Sequence, residues 1–313
     1  MGVAFGPGFS GLRFAPATLP PLRQRTVAKP LQSLTLNGAI FVNLYAFSSN
    51  QSRNMIPIII ILCCAIIFYA SKRMRKKNVP MLNIIGPAHQ KILIDHIRYY
   101  NQLTEPDKTK FEDKIEQFLD DVRIEGVGLE LTDTDRIMVA ASAVIPIFGF
   151  KDWRFQNVTN VLLYPDTFNK DFQFEGNDGE GRNIMGMVGS GYMNGQMILS
   201  RAALVKGFSK NAGKENTGIH EFVHLLDKTD GATDGVPENF LEHDYVDPWV
   251  KMMHQEIRKI EAGHSDIDPY AGTNEAEFFA VVSEYFFSKP EQFQIKHPEL
   301  YDMLSRIFGQ KPA

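Results

Sequence analysis

Cysteine is almost absent from this chain. Only Cys63 and Cys64 occur among 313 residues, adjacent and inside an apolar run. A disulfide framework over the rest of the chain is therefore excluded, which fits a reducing compartment. Thiolates drop out of the metal-ligand inventory too, so a metal site must draw on His, Asp or Glu. Excess charge of either sign is also lacking. The net charge of −4 argues against a generally nucleic-acid-binding surface. Acids are missing altogether from residues 1–54, which carry only Arg13, Arg23, Arg25, Lys29 and Arg53. No internal repeat and no low-complexity tract appears in the remainder.

The acid-free stretch 1–54 reads as a disordered or targeting-like extension, or as sequence upstream of the true start. Translation is expected to start at Met55, because an apolar run begins there. Met55–Ala70 reads MIPIIIILCCAIIFYA, without a charge. With Ser71 and a snorkelling Lys72 it is long enough to cross a bilayer, so residues 55–71 are expected to form a transmembrane anchor. Lys72, Arg73, Arg75, Lys76 and Lys77 follow as a basic juxtamembrane linker over residues 72–79. Such a cluster stays on the cytoplasmic side. The expectation is a single-pass protein of the inner, cytoplasmic membrane, with residues 80–313 in the cytoplasm.

From residue 80 the pattern is globular. Helical spacing runs over His89–Leu103 and again after Pro106 through Phe111, Ile115, Phe118 and Val122. Gly126–Leu129 is expected as a turn or short strand. Thr132 is a helix cap before an Ala-rich, buried helix that ends near Pro146 or Gly149. Strands are expected at Asn157–Tyr164, Phe172–Phe174 and Met193–Ser200, with a charged loop at 176–182. Asp247-Pro248 opens another helix. Thr273 or Asn274 caps one that runs to about Ser288, and the last helices follow Pro290 and Pro298. These elements predict an α+β domain, mainly helical with a small mixed sheet.

Within it lies His220-Glu221-Phe222-Val223-His224, an HExxH sequence. On a helix the two histidines share a face and can grip one metal ion, with Glu221 beside them. Ile219, Phe222, Val223, Leu225 and Leu226 give the segment apolar faces, and no Pro or Gly interrupts it from Ile219 to Lys228. A third ligand has two routes. Asp230 lies six residues beyond His224, but that geometry wants a glycine where Asp227 stands. Alternatively a glutamate on the later helix closes the site, with Glu275, Glu277 and Glu284 as candidates. Glu277 and Glu284 are seven apart and share a helix face. The simplest alternatives are a helix-start charge for Glu275 and a supporting or solvated carboxylate for Glu284. Asp227 is either a partner of a histidine or a surface charge. His243, His254, His264 and His297 lack ligand spacing and are expected at the surface.

His220-Glu-Phe-Val-His-Leu-Leu-Asp227, taken with Thr273-Asn-Glu-Ala-Glu-Phe-Phe-Ala-Val-Val-Ser-Glu-Tyr-Phe-Phe-Ser288, resembles the zinc-dependent peptidase family of Mlc titration factor A. The resemblance extends more weakly over residues 80–310. Tyr270–Ala280 is also similar to the catalytic domain of anthrax lethal factor. The resemblance implies a zincin-like fold binding Zn²⁺ through His220, His224 and Glu277. It places Glu277 on the ligand and Tyr270 on the tyrosine that stabilises the transition state. It implies a peptide or protein substrate, and a transcription regulator as a further partner. A metal-activated water with Glu221 as general base would hydrolyse the peptide bond, and the strand at Met193–Ser200 would pair with the substrate. The competing expectation is a regulatory binding protein of the same fold, with structural zinc. A membrane anchor sets this chain apart from the soluble titration factor.

Overall fold

The computed structural model describes residues 85–169, 173, 184–189 and 193–312, all within the compact unit Lys76–Ala313. The expected extension 1–54, anchor 55–71, linker 72–79, strand Phe172–Phe174 and loop 176–182 lie outside the described residues, save for Gln173, which belongs to no strand. Among the described residues no helix is long and apolar enough to cross a membrane.

The architecture is mainly helical with one small mixed sheet. In chain order come α1 (Pro87–His96), α2 (Arg98–Asn101), α3 (Glu105–Asp121), β1 (Arg123–Gly126) and α4 (Asp133–Ile147). Strands β2 (Val158–Tyr164), β3 (Gly186–Val188) and β4 (Gly195–Ser200) follow, then α5 (Arg201–Gly207) and α6 (Thr217–Asp227). The chain ends with α7 (His243–Glu261), α8 (Glu275–Ser288), α9 (Pro290–Lys296) and α10 (Pro298–Ile307).

Local signals explain most of these boundaries. Thr132 closes a capping box with Asp135 at the start of α4. Its Ala-rich interior is buried along nearly its whole length, and α3, α1 and α6 all pack against it. Ile97 breaks the expected His89–Leu103 helix into α1 and α2, in an extended conformation. The helix expected to open at Asp247-Pro248 begins instead at His243 and carries Pro248 inside. Pro248 is the sixth residue of this helix, so it lacks the N–H that would bond the Asp244 carbonyl and one intrahelical bond is lost.

The strand order is β1-β2-β4-β3. β2 lies parallel to β1 and β4, whereas β3 runs antiparallel to β4. The strand expected at Met193–Ser200, observed as Gly195–Ser200, is therefore an interior strand rather than an edge, and the edges of the sheet are β1 and β3. Two short strands escaped the sequence reading. β1 buries only Ile124 in full, and β3 is three residues in a glycine-rich stretch, so neither shows alternation. Gly126, expected to open a turn or strand, is the last residue of β1.

One ionic hub lies beside α8. Asp266 accepts hydrogen bonds from Lys214, Lys296, His297 and Tyr285, at 2.6, 2.9, 2.7 and 2.9 Å. His297 is thereby held in the interior, side chain 11% exposed, rather than at the surface as its spacing suggested. Burial raises the affinity of Asp266 for a proton, but these partners outweigh it and hold the carboxyl well below the usual range. The hub's contribution to stability is therefore complete above the unfolded-state Asp value of about 4 and fades as pH falls below it. Asp266→Asn should lower the melting temperature at neutral pH, and the gap from wild type should close on acidification. Thermal melts from pH 7 down to the acid limit of folding check this. A gap that widens in acid would contradict it.

Candidate metal centre

α6 carries the HExxH sequence. Asn216 caps it, its side-chain oxygen accepting from Ile219 N at 3.1 Å. The buried face of Ile219, Phe222, Val223, Leu225 and Leu226 fixes the helix against α4 and α8. The opposite stripe presents His220 and His224, side chains 12% and 14% exposed. α8 crosses beside it. Asn274 caps α8 by accepting from Glu277 N at 2.9 Å, and Phe278, Phe279 and Phe286 anchor it among Trp249 and Phe308.

Three ligand atoms converge. His220 Nε2 lies 3.1 Å from His224 Nε2 and 3.0 Å from Glu277 Oε2. His224 Nε2 lies 3.4 Å from the same oxygen. Atoms bound about 2.0–2.1 Å from a tetrahedral ion sit about 3.3 Å apart, so these separations suit zinc coordination. His220, His224 and Glu277 are the one group of three such donors among the described residues. The donor set of two imidazoles and a carboxylate is also the right chemistry for a divalent ion.

A second carboxylate of α8 supports the first. Glu284 Oε1 meets His220 Nδ1 at 2.7 Å, so Nε2 is the atom turned to the cluster. Its other oxygen accepts from Asn216 N. Burial pulls the His220 imidazole down, but Glu277 and Glu284 outweigh this and hold it at about 10. Burial also opposes ionisation of Glu277, yet the two histidines keep its carboxyl at about 2. The cluster is thus built to hold positive charge, whether on a proton or on a metal.

Glu221 is buried beside the cluster, and burial pushes its carboxyl above the ordinary range against the pull of both histidines. Strand β3 passes directly over it. A Cβ on Gly186 would lie 2.6 Å from Glu221 Oε1, so only glycine leaves the carboxyl its place. Tyr270 stands on the 3-10 turn Pro269–Gly272. It is 53% exposed, its ring centroid 6.2 Å from that of His220, and burial followed by Glu277 raises its phenol. His220, Glu221, His224, Tyr270 and Glu277 all line one open cleft of about 610 Å³.

The remaining candidates fall elsewhere. Asp230 is outside the cluster and shapes its own loop, accepting from Ala232 N and Glu238 N. Glu275 reaches the cleft rim and pairs with His254 at 3.2 Å. Asp227 is completely buried rather than a surface charge, and it bonds no histidine. It accepts from Gly235 N at 2.9 Å, while the Gly235 carbonyl accepts from Trp249 Nε1 at 2.7 Å. Gly235 has φ +75 and lies against the Glu275 carbonyl, where a Cβ would come within 2.2 Å. This latch holds the loop after α6 under the start of α8. Sequence reasoning missed Gly186 and Lys228 as parts of the cleft. The signal for Lys228 was present, since it continues the His220–His224 spacing by four.

An HExxH helix crossed by a second, glutamate-bearing helix under the edge of a small sheet defines a metallopeptidase-like protein. The chain belongs to the glucose-regulated metallo-peptidase M90 family, whose pattern matches residues 70–309. It is 32% identical over 237 residues to an uncharacterised protein of Synechocystis, covering 73% of this chain and 86% of that one. It is 31% identical over 221 residues to Mlc titration factor A of Escherichia fergusonii, covering 68% and 82%. The Escherichia coli O1:K1 protein of the same name is 30% identical over 220 residues, covering 67% and 82%.

Proposed function

We propose that this chain is a zinc-dependent peptidase. The observation that carries the reading is the convergence of His220, His224 and Glu277 beside the buried Glu221 in one open cleft. His220, His224 and Glu277 would hold the ion. When bound, zinc would acidify a water and polarise the scissile carbonyl. Glu221 takes the proton from the attacking water and delivers it to the leaving amine. Its raised proton affinity suits both halves of that transfer. Tyr270 donates its hydroxyl hydrogen to the oxyanion that develops on the substrate. Glu284 keeps His220 turned to the ion. The edge of β3 offers backbone groups to an extended peptide, since no other described strand pairs with that side. Met55–Ser71 and the basic cluster after it support attachment to the cytoplasmic face of the inner membrane. Removal of metal by a chelator should abolish cleavage of a mixed peptide library, and added Zn²⁺ should restore it. Chelator-resistant cleavage would overturn the reading.

Gly186 provides a sharper test of the cleft. Gly186→Ala should displace the Glu221 carboxyl, and a displacement of about 1 Å costs about a hundredfold in turnover. Zinc content should stay at the wild-type level, because no ligand touches Gly186. Wild-type kcat in Gly186→Ala would show that the seat of Glu221 is not set by β3.

The name borne by several relatives, Mlc titration factor A, favours a second activity at the same fold. In that reading the chain captures a transcription regulator, and zinc is structural. Pull-down of a regulator by Glu221→Gln as readily as by wild type would support capture independent of catalysis.

A further inference from the structure

Apart from Glu221, buried next to the two histidines, the acids lining the cleft are accounted for. Glu277 faces the two histidines, Glu275 pairs with His254, and Asp234 accepts from Val236 N of its own loop. Lys228 is different. It lines the same cleft, yet among the described residues its ammonium donates to two neutral oxygens alone, Gly189 O at 3.0 Å and Asn194 Oδ1 at 3.3 Å. Three N–H groups point from an ammonium, so one donor and the whole charge remain unmatched by any described acid.

Its position is as informative as its charge. His220, His224 and Lys228 follow at intervals of four along α6 and the turn that continues it. Tyr270 stands against His220 at one end of this row, and Lys228 is at the other. Four residues of helix rise about 6 Å, and an extended peptide covers about 3.3 Å per residue. The contact to Gly189 O also places the ammonium at the end of β3, along the line that a strand-like peptide would follow.

We propose that Lys228 forms a carboxylate-binding subsite about two residues from the scissile bond. The ligand is a peptide with either a free C-terminal carboxylate or an Asp or Glu side chain at that position. The inference rests on the peptidase reading for its substrate, but not for its binding test. Gly189 and Asn194 hold the ammonium from one side, and the substrate carboxylate completes its shell from the cleft.

The experiment compares three matched peptides on the full chain loaded with zinc. One ends in a free carboxylate two residues from the cleaved bond, one ends there in an amide, and one is amidated but carries Glu at that position. Wild type should favour a carboxylate over the plain amide by about tenfold in kcat/KM, through KM, as a charge-assisted hydrogen bond implies. The free-acid and Glu peptides tell the two sources apart. Lys228→Met should erase the preference, and Lys228→Arg should retain much of it. Calorimetric binding of an N-acetyl dipeptide acid and its amide gives the same comparison without turnover. Equal binding and cleavage of acid and amide by wild type would overturn the subsite. Tighter binding of the acid with no cleavage of any peptide would keep the subsite and remove the peptidase reading.

Discussion

Glu221→Gln is expected to lower peptide turnover by about a thousandfold while leaving one zinc per chain. General-base removal costs about 10²–10⁴ in rate, and the upper half of that range fits this site. Glu221 is buried against β3, which fixes its carboxyl beside the cluster. Glutamine keeps the shape under Gly186, and the fold should be unaffected. Gln is neutral and cannot receive the proton, whereas the metal ligands are untouched. The measurement is kcat on a cleaved peptide beside zinc content for both proteins. Turnover within a few-fold of wild type would remove Glu221 from the chemistry.

Glu277→Ala is expected to weaken zinc binding by at least about a hundredfold. Loss of a supporting residue around a metal typically costs about 10–100-fold in affinity, and Glu277 is proposed as a ligand, for which the loss should be larger. Its oxygen is 3.0 and 3.4 Å from the two imidazole nitrogens. Two histidines alone cannot fill a zinc shell, and neighbouring acids do not reach the vacated place. Glu275 is paired with His254 on the rim, and Glu284 is committed to His220 Nδ1 and Asn216 N. Competition against a chromophoric chelator gives the affinity. The order of loss should be Glu277→Ala, then Glu284→Gln, then wild type. Undiminished affinity in Glu277→Ala would send the third ligand to Glu284 or Asp230.

The site was unequally legible in the sequence. His220, Glu221 and His224 could be read at once, because four-residue spacing is a local property of a helix and their apolar neighbours fix which face is free. The partner could not be read so directly. Glu275, Glu277 and Glu284 all stand on one helix, and choosing among them requires knowing how α8 crosses α6. That crossing is set by Phe278, Phe279 and Phe286 packing around Trp249 and Phe308, contacts far apart in the chain. Only the family resemblance pointed to Glu277. Two helices were legible through their caps, α4 at Thr132 and α8 at Asn274, one of the two positions expected for it. β3 was not, since Gly186-Met-Val carries no alternation, yet it forms the roof over Glu221. His297 looked like a surface residue because nothing in its local spacing reveals Asp266, thirty-one positions earlier. Asp227 misled similarly, its role being set by the latch to Gly235 and Trp249.

Anomalous diffraction at the zinc edge, on crystals of the full chain grown with Zn²⁺, locates the ion and its ligands. One ion per chain is expected, bound by His220 Nε2, His224 Nε2 and a Glu277 oxygen at about 2.0–2.2 Å. An ion seated elsewhere, or none at this cluster, would contradict this assignment.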